Sequence, residues 1–379
     1  MKRRQPPIIP VSQPLLTPQD IQSVVKCLRA GWISSEGPVV RRFEREFSRY
    51  HGMKYGAAVA NGTAALELAV RALKLPPRSE IIVPTFTIIS CVLAILRAGQ
   101  TPVLVDCDSK TWNASPENIQ QKLTPRTRAI MCVHIYGLPL EMDAIMRIAK
   151  RNGLLVIEDN AELIGQTYKG RRVGSFGDVS CFSFYANKHV TCGEGGMVLT
   201  NRKIVYEKVC SLRNLGFIKR KRFYHFDEAW NFRLTSLQAA LGLSQFKNLK
   251  KHLAKKRKIG AFYTRALQDL PDLVLPPAAT RYARNIYWVY GIVLGKSYRL
   301  DARRLAFLLR EKGVETRPFF WPMHLQPVFR ARGLFLKERH PVSEKLARRG
   351  LYLPCGAGTK PEELKRVVKN LKIILKKHL

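Results

Sequence analysis

One lysine follows an apolar stretch and precedes a glycine-rich turn. Residues 181–185 (CFSFY) suit a core strand, Lys188 comes just after them, and residues 193–196 (GEGG) form the turn. A lysine presented from a core strand loses hydration, so its charged form is disfavoured and its free amine becomes a nucleophile suited to Schiff-base chemistry. A lysine that reaches back to solvent is the alternative that this residue alone leaves open.

An aspartate ends a second apolar stretch. Residues 154–159 (LLVIED) show no alternation, which is typical of a strand buried on both faces, and the stretch ends at Asp159. Open α/β sheets place ligand-binding residues at such strand ends. A carboxylate there could keep a pyridine nitrogen protonated, as pyridoxal phosphate (PLP) requires, and Glu162 could face the same cavity. An aspartate that caps a following helix is the simpler alternative.

A third group of residues could bind a phosphate. Gly62 and Thr63 lie at a predicted strand-to-helix turn, where backbone N–H groups and a hydroxyl suit an anion. Ser183, five residues before Lys188, could add a hydroxyl. A plain helix N-cap is the alternative for the first two residues. The glycine run at 193–196 matches neither a dinucleotide turn nor a P-loop, so we interpret it as a tight turn after the lysine.

The elements that would position these residues alternate between strand and helix. The pattern predicts strands over 56–60, 81–84, 101–106, 129–134 and 154–159 and helices over 64–73, 89–96 and 142–150. Such a series favours a mostly parallel sheet covered by helices. Two helices precede it, the first with Thr17 as its N-cap and Pro18 at its first position.

The C-terminal part of the chain has a different pattern. It predicts a long helix over about 235–267, a strand over 286–294 and helices over 302–311 and 361–376. Because 379 residues are many for one ordinary domain, we expect a large domain over 1–250, with an N-terminal helical segment, and a smaller one over 251–379.

Charge and composition restrict the class of protein. Lys and Arg number 65 against 28 Asp and Glu, a net charge of +37, so the surface should attract polyanions. No zinc finger, RNP-type strand or basic-zipper heptad accompanies this charge, which we therefore interpret as a global property and not as a nucleic-acid module. No apolar run is long enough to span a bilayer or form a signal peptide, so the expected location is the cytoplasm.

The eight cysteines are scattered and form no Cys-x-x-Cys pair. We expect neither a metal site nor a disulfide framework. Cys192 lies near the lysine turn, where packing is the simpler role.

The order of these motifs resembles the DegT/DnrJ/EryC1/StrS family of PLP-dependent sugar aminotransferases, nearly from end to end. The residues that show the resemblance are 31–34 (GWIS), 61–66 (NGTAAL), 157–162 (IEDNAE), 183–188 (SFYANK) with 193–196 (GEGG), and 231–234 (NFRL). The resemblance implies PLP fold type I, an α/β architecture like aspartate aminotransferase, with a large mostly parallel-sheet domain and a smaller C-terminal α+β domain. The departures are Asn160 and Cys192, and neither removes a group that the reaction needs.

The resemblance also implies roles for single residues. Lys188 would bind the cofactor covalently and Asp159 would pair with its ring nitrogen, as the two catalytic residues. Glu162 would lie by the ring and Ile88 would pack over its other face.

Further cofactor and subunit contacts are implied in the same way. Gly62, Thr63 and Ser183 would hold the cofactor phosphate. Asn231 would reach the phosphate of the neighbouring subunit's cofactor, which implies a homodimer with active sites at the subunit interface.

The stretch 317–324 (RPFFWPMH) resembles the branch of the family that makes GDP-perosamine. That resemblance implies a transfer of the amino group of L-glutamate to C4 of GDP-4-keto-6-deoxy-D-mannose, for polysaccharide synthesis. The implied substrate-binding residues are His324, Phe320 and Arg233, although a lone histidine is more often structural.

Other functions stay open at this stage. A related enzyme could aminate a dTDP- or UDP-linked keto sugar at C3 or C4, or a cyclitol. Sugar dehydratases of the family replace the lysine with histidine, so Lys188 argues against them. A basic nucleic-acid-binding protein on a degenerate enzyme scaffold is the alternative from a different class, and the intact set of motifs opposes it.

Overall fold

A computed structural model describes residues 7–218 and 221–379 of the chain. Two helices come first, and strands and helices then alternate up to residue 159, as the sequence predicts. The elements up to residue 200 are α1 Pro18–Arg29, α2 Pro38–Tyr50, β1 Tyr55–Val59, α3 Gly62–Ala72, β2 Glu80–Pro84, α4 Ile89–Arg97, β3 Thr101–Val105, α5 Pro116–Gln121, β4 Thr127–Val133, α6 Met142–Arg151, β5 Leu155–Asp159, β6 Thr167–Tyr168, β7 Arg171–Arg172, β8 Val179–Ser183 and β9 Gly196–Thr200.

Seven of these strands form one sheet in the order β1-β9-β8-β5-β4-β2-β3. The pairs from β3 to β8 are all parallel, whereas β9 is antiparallel to both of its neighbours. In this register Asp159, the last residue of β5, lies between Val133 of β4 and Cys181 of β8. The mostly parallel sheet of a fold type I enzyme is thereby confirmed, and its carboxyl edge brings the predicted site residues together.

The rest of the chain first adds two helices and a separate two-stranded sheet, and then builds a smaller four-stranded sheet with helices around it. Its elements are α7 Lys203–Leu212, β10 Phe217–Ile218, β11 Lys221–His225, α8 Ser236–Lys247, α9 Leu249–Leu267, β12 Leu273–Val274, β13 Tyr290–Leu294, α10 Ala302–Glu311, β14 Arg317–Pro318, a 3₁₀ turn Met323–Leu325, α11 Pro327–Arg330, α12 Pro341–Arg349, β15 Gly350–Leu353 and α13 Pro361–Lys377. Helices α7 and α8 pack against the N-terminal elements, and β10 and β11 form the two-stranded sheet. Strands β12-β13-β15-β14 form the four-stranded antiparallel sheet.

The predicted domain boundary after residue 250 falls at the start of α9, and it stays a prediction. One cluster of buried apolar side chains includes residues of both sheets, for example Ile81 of β2 and Ile292 of β13. The two sheets therefore share packing.

Two elements differ from their predictions. The long helix predicted over 235–267 is interrupted at Asn248, which ends α8 and begins α9. The strand predicted over 286–294 begins only at Tyr290, because Tyr287 has a left-handed backbone (φ 51°) and its N–H donates to Asn285 Oδ1 at 2.7 Å. The apolar run 286–289 thus forms an irregular segment beside the site.

The first helix begins as predicted. Thr17 caps α1 through a capping box with Asp20, and the Gln245 side chain on α8 donates to the same Asp20 carboxylate at 2.7 Å. This shared acceptor fixes the N-terminal helix against α8.

All eight cysteines are free thiols. Within the described ranges, no helix is long and apolar enough to cross a membrane.

A buried carboxylate, Glu158, organises the loop that leads into β8. Three backbone N–H groups of the loop 174–177 and the Ser180 hydroxyl donate to it, at distances from 2.6 to 3.1 Å. The buried His134 ring lies 3.5 Å from it on the other side. Burial alone would raise the pKa of Glu158, but His134 and the N–H groups of the loop outweigh burial and lower that pKa.

Glu158→Gln should therefore destabilise the fold at neutral pH. The variant replaces a charged acceptor by a neutral amide, whose NH₂ group would face the backbone N–H groups of the loop 174–177. We expect this loss of acceptor and charge to lower the free energy of unfolding by about 3 kcal/mol. Because the folded pKa is lowered, the carboxylate stabilises the fold above its unfolded pKa of about 4.3 and loses this effect as the pH falls through the folded value. Urea unfolding at neutral and acidic pH measures both effects.

Glu46→Gln is the matched control, since Glu46 pairs with the exposed Arg42 on the surface of α2. We expect it to change the free energy of unfolding by less than about 0.5 kcal/mol. Equal unfolding midpoints for the two variants at neutral pH would contradict the role of Glu158.

Candidate active site

A cavity of about 660 Å³ opens at the carboxyl edge of the central sheet. The turns after β1, β2, β5 and β8 contribute to its wall, and the irregular segment before β13 and strand β15 close its other side. Eight predicted residues line it, namely Gly62, Thr63, Ile88, Asp159, Glu162, Ser183, Lys188 and Phe320. The residues that the sequence analysis grouped are thus neighbours in space.

Lys188 lies in the turn between β8 and β9 and not at the strand end, where the sequence analysis placed it. Strand β8 ends at Ser183, and the chain then closes a tight loop in which Phe184 N–H donates to Gly195 O at 2.8 Å. Gly193 in this loop has φ +83°, a conformation that favours glycine. The glycine run is therefore the turn that lets the lysine project into the cavity.

The environment of Lys188 favours a neutral amine. Burial lowers the pKa of Lys188, and the nearby carboxyl groups of Glu162 and Asp159 oppose this effect only in part. Among the hydrogen bonds and ion pairs of the described residues, none involves the Lys188 amine; its Nζ lies 3.7 Å from the ring centre of Trp288. An amine with a lowered pKa and a free lone pair is prepared for nucleophilic chemistry.

Two hydrogen bonds orient the Asp159 carboxylate. One of its carboxylate oxygens accepts from Ala161 N–H at 2.9 Å, and the other accepts from the Cys91 thiol on α4 at 3.2 Å. A turn follows Asp159 and no helix, so the alternative of a helix cap does not apply. The carboxylate is buried, which suits a fixed partner for a cationic ring nitrogen.

Glu162 forms the neighbouring wall. Its carboxyl group accepts from Tyr136 N–H at 2.7 Å. Burial raises the pKa of Glu162 to about 8, with a smaller contribution from Asp159, while Lys188 and the Tyr136 N–H act in the opposite direction. Glu162 and Lys188 thus lie close enough to influence each other's protonation.

Three hydroxyl groups surround the N-terminus of α3. Asn61 is the N-cap of this helix, because its side chain accepts from Ala64 N–H at 2.8 Å, so Thr63 has no capping role. The Thr63 and Ser90 hydroxyls are hydrogen-bonded at 2.7 Å. A Cβ atom on Gly62 would lie 2.8 Å from Ser183 Cβ, which shows how closely the helix end approaches β8. A helix N-terminus with three hydroxyls suits a phosphate.

Two predicted residues near the cavity do not line it. The chain forms an isolated bridge between Asn214 and Asn231, and Arg233 donates to the Asn214 side chain at 2.6 Å. Phe232, between them, lines the cavity instead. The contact of Asn231 with the cofactor of a neighbouring subunit stays a prediction.

His324 lies outside the cavity. Its ring is fully buried, with one nitrogen 3.0 Å from the Thr85 hydroxyl and the other 3.2 Å from a Glu344 carboxylate oxygen. Burial lowers the pKa of His324, and Glu344 opposes this. Both ring nitrogens have partners within the chain, which is typical of a structural histidine, and the substrate contact of His324 stays a prediction.

The sequence analysis missed several residues of the cavity wall. Ser90 in the first turn of α4 and Trp288 in the segment predicted to be a strand both line the cavity, whereas the neighbouring Cys91 is buried and donates to Asp159. Tyr185, Phe232 and Tyr352 add aromatic surface. The sequence signal was a serine and a cysteine at the start of an otherwise apolar helix, just after Ile88, which the family resemblance places against the cofactor.

Comparisons with known proteins agree with this geometry. Residues 14–372 match the model of the DegT/DnrJ/EryC1/StrS aminotransferase family. The chain is 40% identical over 346 residues to the GDP-perosamine synthase of Escherichia coli O157:H7, covering 91% of this chain and 93% of that protein. It is 37% identical over 369 residues to the GDP-perosamine synthase of Caulobacter vibrioides, covering 97% and 99% of the two chains.

Solved structures show the same architecture. The X-ray structure of S. venezuelae DesV superposes with a TM-score of 0.89 at 31% sequence identity, covering 98% of this chain and 99% of that one. The likeness extends over both sheets.

His324→Ala and Phe320→Ala should have opposite effects. Loss of the buried histidine leaves a cavity and unpaired polar groups, so we expect a fall of about 3 kcal/mol in the free energy of unfolding and an unchanged KM for the substrate. Phe320 is on the cavity wall, so its truncation should raise KM with a smaller loss of stability. Thermal unfolding and steady-state kinetics of both variants measure these effects. A His324→Ala protein with a raised KM and wild-type stability would instead support a substrate contact by His324.

Proposed function

We propose that this chain, which belongs to the DegT/DnrJ/EryC1/StrS aminotransferase family, transfers the amino group of L-glutamate to C4 of GDP-4-keto-6-deoxy-D-mannose. The product is then GDP-perosamine, a sugar nucleotide for polysaccharide synthesis. The two GDP-perosamine synthases that the chain resembles over most of its length support this substrate. The observation that carries the proposal of an amino transfer is one cavity that contains Lys188, Asp159 and the α3 N-terminus.

The cofactor of this aminotransferase is pyridoxal 5′-phosphate, and the chemistry of the cavity fits it. A half-buried amine without a hydrogen-bond partner among the described residues suits its aldehyde, and a buried carboxylate suits its ring nitrogen. The N-terminus of α3 with the hydroxyls of Thr63, Ser90 and Ser183 suits its phosphate. We therefore assign these groups to Lys188, Asp159 and the α3 turn respectively.

When bound, the cofactor supplies an electron sink for the negative charge that develops at the carbon next to the amino group. The protein supplies the proton transfers. Lys188 takes the proton from Cα of glutamate as a general base and donates it to C4′, the aldehyde carbon of the cofactor, as a general acid. In the second half-reaction Lys188 transfers a proton in the reverse direction, from C4′ to C4 of the sugar. Asp159 keeps the proton on the ring nitrogen because its own carboxylate is buried and oriented by Ala161 and Cys91.

Charge and aromatic surface favour a nucleotide-linked substrate. The net charge of +37 attracts a substrate with two phosphates. Phe232, Phe320 and Tyr352 give the cavity wall flat apolar faces. Asn231 lies outside the cavity of its own chain, which is consistent with a homodimer in which it reaches the neighbouring active site.

Lys188→Ala should abolish the covalent attachment of the cofactor. We expect the visible absorbance of the wild-type enzyme to shift to that of free pyridoxal phosphate, and the formation of 2-oxoglutarate from glutamate to fall by at least about 10³-fold, since both nucleophile and base are lost. Absorbance spectra and a 2-oxoglutarate assay measure the two effects.

Lys169→Ala is the matched control, because Lys169 pairs with Asp143 on the surface. It should keep the spectrum and the activity. A Lys188→Ala protein that still converts glutamate to 2-oxoglutarate at the wild-type rate would refute the mechanism.

A panel of keto sugars should identify the substrate. With glutamate as donor, we expect kcat/KM for GDP-4-keto-6-deoxy-D-mannose to exceed that for dTDP- or UDP-linked 4-keto sugars by at least about tenfold, because one lost or misplaced polar contact costs more than about 1.4 kcal/mol. Mass spectrometry and NMR of the product would locate the amine at C4.

A preference for a dTDP- or UDP-linked sugar, or an amine at C3, would leave an aminotransferase with a different substrate. Salt-dependent binding to DNA without any cofactor absorbance would instead favour the nucleic-acid-binding alternative.

A further inference from the structure

Trp288 is the closest aromatic contact of the Lys188 amine. The Nζ atom lies 3.7 Å from the centre of its ring, and both side chains line the same cavity. The Trp288 side chain is 5% exposed, so its ring face meets the amine with little water between them. At this distance a ring face attracts an ammonium group, most strongly where water is excluded.

Three contacts fix the position of this ring. Its indole N–H donates to the carbonyl of Asn187, the residue before Lys188, at 3.1 Å. Its backbone carbonyl accepts from the amine of Lys256 on α9 at 2.8 Å. Aromatic neighbours from two other elements, Tyr136 and Tyr352, lie 5.9 and 6.4 Å away between ring centres.

Lys256 is an unusual residue to fix the position of Trp288. Its side chain is buried, and its amine donates to two backbone carbonyls, those of Trp288 and Cys355, the second at 2.5 Å. No carboxylate pairs with it among the ion pairs of the described residues. A long flexible side chain is thereby held between α9 and the segments before β13 and after β15, which fixes the Trp288 backbone.

We propose that Trp288 is a positioning residue for the reacting amine: its ring face holds Lys188 in the cavity and stabilises the protonated form of Lys188, while Lys256 fixes the ring. After Lys188 has taken a proton from the substrate it is an ammonium ion, and the ring is the surface on which that ion rests. Without the ring, the ammonium group would move toward the carboxyl groups of Asp159 and Glu162, away from the atoms to which it must return the proton.

The charged and titratable groups around Lys188 set the background for a test. Asp159 and Glu162, from β5 and the turn after it, favour the ammonium form, whereas burial disfavours it. Two further groups, His189 on the same turn and Lys256 on α9, lie nearby, and the phenols of Tyr136 and Tyr352 belong to the same wall. Substitution of Trp288 removes none of these groups.

The test follows the pH dependence of cofactor attachment. The full-length chain is freed of cofactor by dialysis, and its condensation with added pyridoxal phosphate is followed by visible absorbance across the neutral and alkaline range. Because only the neutral amine condenses, the midpoint of the rate profile reports the pKa of Lys188. Loss of a cation–π contact disfavours the ammonium form, so Trp288→Leu should move the midpoint down by about 0.5 to 1.5 pH units and Trp288→Phe by less.

Trp321→Leu is the control, since Trp321 lies outside the cavity with its indole N–H donated to Leu325 O, and it should leave the midpoint unchanged. If the leucine variant does not fold, the phenylalanine variant still decides the direction. An unchanged midpoint, or a rise caused by water entering around the amine, would overturn the proposal and leave Trp288 as packing alone. The proposal depends on the covalent lysine of the family and not on the sugar, so a chain that condenses normally but does not aminate the GDP-linked sugar would contradict the proposed substrate alone.

Discussion

An amine kept out of bulk water beside two carboxyl groups is the constraint on which the rest of the site depends. Burial favours the neutral form of Lys188, whereas Asp159 and Glu162 favour the charged form. Because burial outweighs the carboxyl groups, the amine can act as a nucleophile, and the nearby carboxyl groups favour its protonated form when it carries a proton. The Trp288 ring, 3.7 Å from Nζ, is part of the same balance.

The scaffold maintains this balance through the alternation of side chains along β5. Successive residues of a strand point to opposite faces, and here two neighbouring acids have different roles. Glu158 accepts from the loop 174–177 and so orders the approach to β8, while Asp159 faces the cavity. One strand end therefore both orders the strand before the lysine and presents the acid that faces it.

The net positive charge of the chain is distributed differently from the charged groups around Lys188. The excess of 37 positive charges spreads over the chain, whereas the amine of Lys188 shares the cavity with the buried carboxyl groups of Asp159 and Glu162. A positive field around the cavity can concentrate phosphate-bearing substrates, while the protonation of the site is set by near neighbours. The charge thus needs no nucleic-acid partner to have a physical effect.

The sequence by itself determined the order of elements, the family and the grouping of Lys188, Asp159, Thr63 and Ser183, because strand and helix periodicity and short motifs are local properties. It could not place His324, Trp288 or Cys91, because these residues depend on which segments pack together far apart in the chain. His324 turned out to be buried between Thr85 and Glu344, and Trp288 entered the site because the left-handed backbone at Tyr287 delays the strand. Only tertiary packing decides that His324 is buried away from the cavity and that the ring of Trp288 contacts the reacting amine.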